Sequence, residues 1–203
     1  MKENRPKAPL KLILASTSPY RKAQLAHLGL PFDCLAQSVD ETPKADEPPL
    51  ELALRLSQFK ALSASSGCTQ NSLIIAGDQC AAFGSRILGK PYTEQNAVAQ
   101  LQACSGQQVI FYSGLCVLDN RTDQLTSVCV ETRVTFRQLS DEEISNYISR
   151  ESPLDCAGSF KCEGLGITLF ESIQSDDPSA LIGLPLIQLN KLLIRHGVNA
   201  LCR

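Results

Sequence analysis

The stretch Lys11-Leu-Ile-Leu-Ala15-Ser16-Thr17-Ser18-Pro19-Tyr20-Arg21 decides the fold class. Residues 11–15 form a short apolar run of the kind that fills a buried strand. Ser18 then stands where a helix N-cap belongs, with Pro19 at the first helical position. The pattern predicts a helix over 20–28, stopped by Gly29. A strand feeding directly into a helix is the opening unit of an α/β domain. The same junction leaves backbone N–H groups unpaired and a partial positive charge, which suits a phosphate. Ser16, Thr17 and Arg21 either complete such a site or form an ordinary cap with a solvated arginine.

Outward from this junction, helix and strand patterns alternate. Residues 32–36 read as a second strand, followed by the acidic loop Val39-Asp40-Glu41-Thr42-Pro43. Leu52, Ala53, Leu56 and Phe59 recur at helical spacing and predict an amphipathic helix over 49–65. Residues 72–76 read as a buried strand ending at Gly77-Asp78-Gln79, and Gly84-Ser85 as a turn between short strands. A helix over 93–103, strands over 108–118 and 125–136, and a capping box at Ser140-Asp-Glu-Glu143 come next. The last helix runs from about Pro185 to Gly197. No internal repeat and no linker interrupts the series. One mixed α/β domain over 11–203, a central twisted sheet flanked by helices, is expected, with 1–10 as a flexible extension.

Composition narrows the chemistry by exclusion. The chain has 203 residues, 43% of them apolar, with a net charge of −2, so a folded globular domain is expected. A pI near 5.7 argues against broad nucleic-acid binding. No run approaches the ~20 apolar residues of a membrane span, and the polar, basic start is not a signal peptide. Nine cysteines without a C-x-x-C pair fit reduced thiols that pack as small hydrophobes in a cytoplasmic protein. His27 and His196 both fall near helix C-termini, where they cap favourably rather than serve a nucleophile.

Charged residues in loops and at strand ends carry what remains. Gly84-Ser-Arg-Ile-Leu-Gly89-Lys90 matches G-x-x-x-x-G-K, but Pro91 follows and the first glycine sits in a hairpin turn. It is not a phosphate loop, although Lys90 remains a point charge able to reach a phosphate. Asp78, directly after an apolar run, is either a reactive group at a strand end or a turn residue bonding its own backbone. Glu41 is either a hard oxygen ligand for magnesium or part of a solvated acidic loop. Lys60 interrupts an apolar helix segment, and snorkelling from the helix edge is its simplest reading. Lys161 and Glu163, in a glycine-flanked loop, read equally as an exposed ion pair. Together these cations, carboxylates and a helix N-terminus suit a nucleoside triphosphate.

Six ordered segments carry a resemblance. Residues 12–21, Val39-Asp-Glu-Thr-Pro43, Gly77-Asp-Gln79, Gly89-Lys-Pro91, Cys156-Ala-Gly-Ser-Phe-Lys-Cys-Glu-Gly164 and Gly183-Leu-Pro185 resemble the Maf-like nucleotide pyrophosphatases, over about 11–197. Tyr20, Asp78-Gln79 and Phe160-Lys161-Cys162-Glu163 are similar to the branch that hydrolyses 7-methyl-GTP. The resemblance implies a Maf/ITPase-like fold with a nucleotide cleft, and hydrolysis between the α and β phosphates. It implies Asp78 as proton acceptor and Ser16, Arg21, Lys60, Lys90 and Lys161 as triphosphate contacts. Glu41 with Asp78 would hold a divalent cation (magnesium, manganese or cobalt), and Tyr20, Gln79 and Glu163 would select the base. A homodimer is also implied. Relatives often carry Trp at Tyr20 and Ser at Gly77, so weaker stacking and a looser Asp78 are expected. The alternatives are dTTP/UTP or non-standard nucleotides as substrate, or a non-catalytic nucleotide-binding regulator of septum formation.

Overall fold

Strand β1 (Lys11–Leu14) pairs in parallel with β2 (Phe32–Cys34) on one side and β3 (Ser72–Phe83) on the other. Helix α1 (Pro19–Ala26) follows β1, and α2 (Pro49–Ser65) lies between β2 and β3 in the chain. The computed structural model describes residues 10–68 and 71–202; the expected extension over 1–10 falls, apart from Leu10, outside them. Strand β4 (Arg86–Leu88) forms the hairpin expected at Gly84-Ser85 and pairs with the end of β3. Helix α3 (Glu94–Cys104) leads to the long antiparallel pair β5 (Gln108–Asp119) and β6 (Gln124–Phe136). Helix α4 (Asp141–Glu151), strand β7 (Phe170–Ser175) and helix α5 (Leu186–Arg195) complete the chain.

The sheet is mixed, with order β2-β1-β3-β5-β6-β7 and β4 attached to β3. Alternation along β3 explains its two covers. Leu73 and Ile75 join Leu189, Leu192 and Leu193 of α5 on one face. Ile74 and Ala76 meet Ala61 and Ala64 of α2 on the other. Further along the sheet, Phe111, Val134 and Phe136 pack with α3 and α4. Each fully buried leucine contributes about 1.5–3 kcal/mol, so these clusters dominate the favourable side of folding.

Two elements differ from the sequence expectation in ways that matter. The strand expected to end near Asp78 continues to Phe83, so Asp78 lies in mid-strand, paired with Gly114. What ends near it is its neighbour: β1 pairs with β3 only as far as Ile75, and pairing with β4 takes over only from Ala81. Residues 76–80 therefore have a strand partner on one side alone. Strand β7 is absent from the sequence reading because FESIQS has no alternating pattern; it is an exposed edge strand. The expected second strand stops at Cys34, and α1 ends two residues early with His27 as its C-cap.

Helix α2 sits unusually close to the sheet at Gly114, where a Cβ would lie 2.3 Å from the Ala53 carbonyl oxygen. Gly114→Ala should therefore push α2 away and cost at least about 1–3 kcal/mol in chemical denaturation. A change below 0.5 kcal/mol would show that the contact is slack.

A second constraint ties α5 to the β5–β6 turn. Asp119, almost wholly buried, accepts two hydrogen bonds from the Arg121 guanidinium at 2.8 and 2.6 Å and lies 3.2 Å from His196 Nδ1. These contacts, led by Arg121, hold its carboxyl at about 2, below the ordinary 3.8. The stabilisation is thus complete above the ordinary value and is lost as pH falls towards the native one. Asp119→Asn should lower stability by about 1–3 kcal/mol near neutrality. The difference from wild type should shrink as denaturation is repeated from pH 6 down to pH 3.

Candidate functional site

The gap beside β3 is the site. Where β1 stops, the loop 15–18 turns into α1, and a cleft of about 350 Å³ opens along residues 15–21, Asp78 and Gln79. Ser16 Oγ accepts from Ser18 N at 3.1 Å, and Ser18 Oγ caps α1 by accepting from Arg21 N at 3.4 Å. Adjacent strand residues point to opposite faces, so Asp78 and Gln79 serve different walls. Asp78 faces α2. Gln79 faces the other way and donates through Nε2 to Ser113 Oγ and to the Ala180 and Leu181 carbonyls, each at 3.0 Å.

Lys60 is the pivot of the α2 wall. Only 9% exposed, it places its ammonium 2.5 Å from Asp78 Oδ1 and 2.6 Å from Glu41 Oε1. The snorkelling reading of Lys60 is corrected here: the side chain turns inward because two carboxylates converge there. Burial raises the Glu41 carboxyl, but the Lys60 contact, with Lys90 and Arg21 adding to it, leaves the net shift downward. Arg21 enters from α1 and donates through Nε to the Gly183 carbonyl at 2.9 Å. Burial lowers its pKa against the pull of Asp78 and Glu41, and a guanidinium remains charged. Lys90, exposed after β4, lines the same cleft. Three cations and two carboxylates thus share one end.

Gly77 gives Arg21 its seat. A Cβ there would lie 3.2 Å from the Gly114 carbonyl oxygen and 3.4 Å from Arg21 Nε. The looseness expected from this glycine is absent, since Asp78 stays within the β3–β5 ladder and is held by Lys60.

The other end is aromatic and acidic. Tyr20, half-buried, lines it with Glu163, Asp155, Cys156 and Cys162. Burial, then the charges of Cys156, Asp155 and Glu163, push the Tyr20 phenol up to about 12, so it keeps its proton. Burial likewise pushes the Cys156 and Cys162 thiols to about 12. They are poor nucleophiles, consistent with packing. Phe160 anchors this loop by edge-on contacts to Phe111 and Phe170, with centroids 5.1 and 4.8 Å apart.

Of the residues singled out from sequence, the cleft brings together Ser16, Tyr20, Arg21, Glu41, Lys60, Asp78, Gln79, Lys90 and Glu163. Lys161 is not among its lining. Its ammonium bonds instead to the Glu151 and Ser152 carbonyls, at 3.0 and 3.3 Å. Sequence reasoning missed Asp155 and Gln37, which also line the cleft. Asp155 directly precedes the quoted motif and was within reach; Gln37, held by Ser63 Oγ at 2.8 Å, carried no signal.

The donor set also bears on a metal. Glu41 and Asp78 supply hard oxygens suited to magnesium or manganese. Among the described residues no trio of His, Cys, Asp or Glu is assembled to hold an ion unaided. The residues therefore fit a cation that arrives with phosphate oxygens rather than one caged by protein.

A family model described as "Maf-like protein" matches residues 11–196. A 7-methyl-GTP pyrophosphatase of Nitrosococcus oceani is 49% identical over 190 residues, covering 94% of this chain and 95% of the relative. One from Saccharophagus degradans is 55% identical over 178 residues, covering 88% and 90%. Among solved structures, a nucleoside-triphosphatase/dITP/XTP pyrophosphatase of Mycobacterium abscessus aligns with a TM-score of 0.41 at 15% identity, covering 63% of this chain and 74% of that one. The family match spans nearly the whole chain and includes every element that builds the cleft, so the chain belongs to the Maf-like family.

Proposed function

We propose that this chain is a pyrophosphatase that cleaves 7-methyl-GTP between its α and β phosphates, releasing 7-methyl-GMP and pyrophosphate. The observation that carries it is a single cleft with a lysine-held aspartate among cations at one end and Tyr20 with Glu163 at the other. Relatives about half identical over most of the chain bear that activity in their names, which supports the choice of base.

Ser16, Arg21, Lys60 and Lys90 hold the triphosphate, and Arg21 is pre-aimed by the Gly183 carbonyl. Lys60 takes Asp78 Oδ1 and so fixes the carboxylate plane. Asp78 accepts a proton from water as the water oxygen bonds to the α-phosphorus. The bond from that phosphorus to the bridging oxygen breaks, and its electron pair leaves on pyrophosphate, whose charge the nearby cations stabilise. A divalent cation held by Glu41 and Asp78 would neutralise further phosphate charge. N7-methylation makes guanine cationic, so the Tyr20 face and the Glu163 carboxylate both favour it. The nine free cysteines support a reducing, cytoplasmic setting, and among the described residues no helix is long and apolar enough to cross a membrane.

Asp78→Asn should lower kcat by about 10²–10⁴-fold while nucleotide binding persists. Pyrophosphate release measured across 7-methyl-GTP, GTP, dTTP, UTP and ITP should be fastest with the first. No release from any of them points to a binding regulator, and a preference for dTTP or UTP to the pyrimidine branch.

Tyr20→Ala and Glu163→Ala should each reduce the preference for 7-methyl-GTP over GTP by roughly 2–30-fold, the equivalent of a 0.5–2 kcal/mol cation contact. Unchanged selectivity in both variants refutes the base assignment.

A further inference from the structure

Glu163 lies in the irregular segment 155–166, yet a selective base pocket needs its carboxylate held in place. The holding is visible on both sides of it. Ahead of Glu163, Lys161 N donates to the Tyr147 hydroxyl at 2.9 Å, and the Lys161 ammonium donates to the Glu151 and Ser152 carbonyls. Behind it, Leu165 N donates to Glu151 Oε1 at 3.0 Å. All three anchors belong to the last turn and end of α4. A helix C-terminus leaves carbonyls without intrahelical donors and a partial negative charge, so a lysine there is satisfied electrostatically as well as by hydrogen bonding. Ser152, in the left-handed region at φ 45°, turns its carbonyl out of the helical direction.

Space reinforces the clamp. A Cβ at Gly164 would lie 2.8 Å from the Glu151 carboxylate, and one at Gly166 would lie 2.3 Å from the Lys161 carbonyl oxygen. At Gly164 the loop lies directly against the Glu151 side chain of α4, and at Gly166 it folds tightly back on the Lys161 backbone. The Lys161 ammonium is also 3.9 Å from Asp155, the second carboxylate at the aromatic end.

We infer that Lys161 is a positioning residue of the base pocket: with Glu151 it locks the loop against α4 and so fixes Glu163, rather than binding phosphate. The effect on base selectivity rests on the proposed 7-methyl-GTP reading; the clamp itself does not.

The test uses the full chain as wild type, Lys161→Met and Lys161→Arg. Hydrogen exchange should quicken roughly tenfold or more over 160–166 in Lys161→Met and return towards wild type in Lys161→Arg, with little change in β3 and β5. In steady-state assays Lys161→Met should raise KM for 7-methyl-GTP more than it lowers kcat, bringing the preference over GTP towards that of Glu163→Ala. The double variant Lys161→Met/Glu163→Ala should be no less selective than Glu163→Ala alone, because both act through one group. Unchanged exchange in Lys161→Met overturns the clamp. Equal losses for 7-methyl-GTP and GTP, with weaker inhibition by inorganic tripolyphosphate, overturn it in favour of a phosphate contact. A wild type inert towards 7-methyl-GTP refutes the proposed substrate, while the exchange result still decides the clamp.

Discussion

The ammonium of Lys60, shared between Asp78 and Glu41, is the contact on which the cleft depends. Two carboxylates drawn together without it would repel, and a buried charge stripped of its partner is costly by about 3–5 kcal/mol. The contact also joins three separate pieces of chain. Glu41 comes from the loop after β2, Lys60 from the fourth turn of α2, and Asp78 from the middle of β3. Their meeting requires α2 to lie flat on the sheet, which the missing side chain at Gly114 allows.

The same economy governs the opposite wall. Asp177, wholly buried, accepts from Ser179 Oγ and from the Ile187 and Gln188 amides at the start of α5. It thereby fixes the turn 178–183, whose carbonyls receive Gln79 and Arg21. A helix cap outside the cleft therefore sets where the Gln79 amide and the Arg21 guanidinium point. Asp78 and Gln79 are sequence neighbours, but the pleat of β3 sends them to walls built by different helices.

Lys161 shows how a motif can be right in membership and open in role. Its place within Phe160-Lys161-Cys162-Glu163 marks the family, and a lysine beside a triphosphate site reads naturally as a phosphate contact. Only the fold reveals that the end of α4 offers it two carbonyls nearer than the cleft. Asp155 is the converse case, a residue one position ahead of the motif that the same loop brings beside Tyr20.

By itself the sequence determined the class of fold, through the 11–21 junction and the alternation of helix and strand patterns. It also determined most of the charged set, because residues such as Asp78 after an apolar run and Lys60 within an apolar helix break local patterns in ways that need a reason. Those signals are short-range. The tertiary structure decided what lies beyond a few residues: that β1 stops beside Ile75 and leaves 76–80 open, that Lys60 turns inward, and that Lys161 turns away. Strand length at Asp78 was misread for the same reason. The 11–21 stretch announces a strand and a helix, but the cleft between them exists because β3 outruns β1, a relation between chain segments some 60 residues apart.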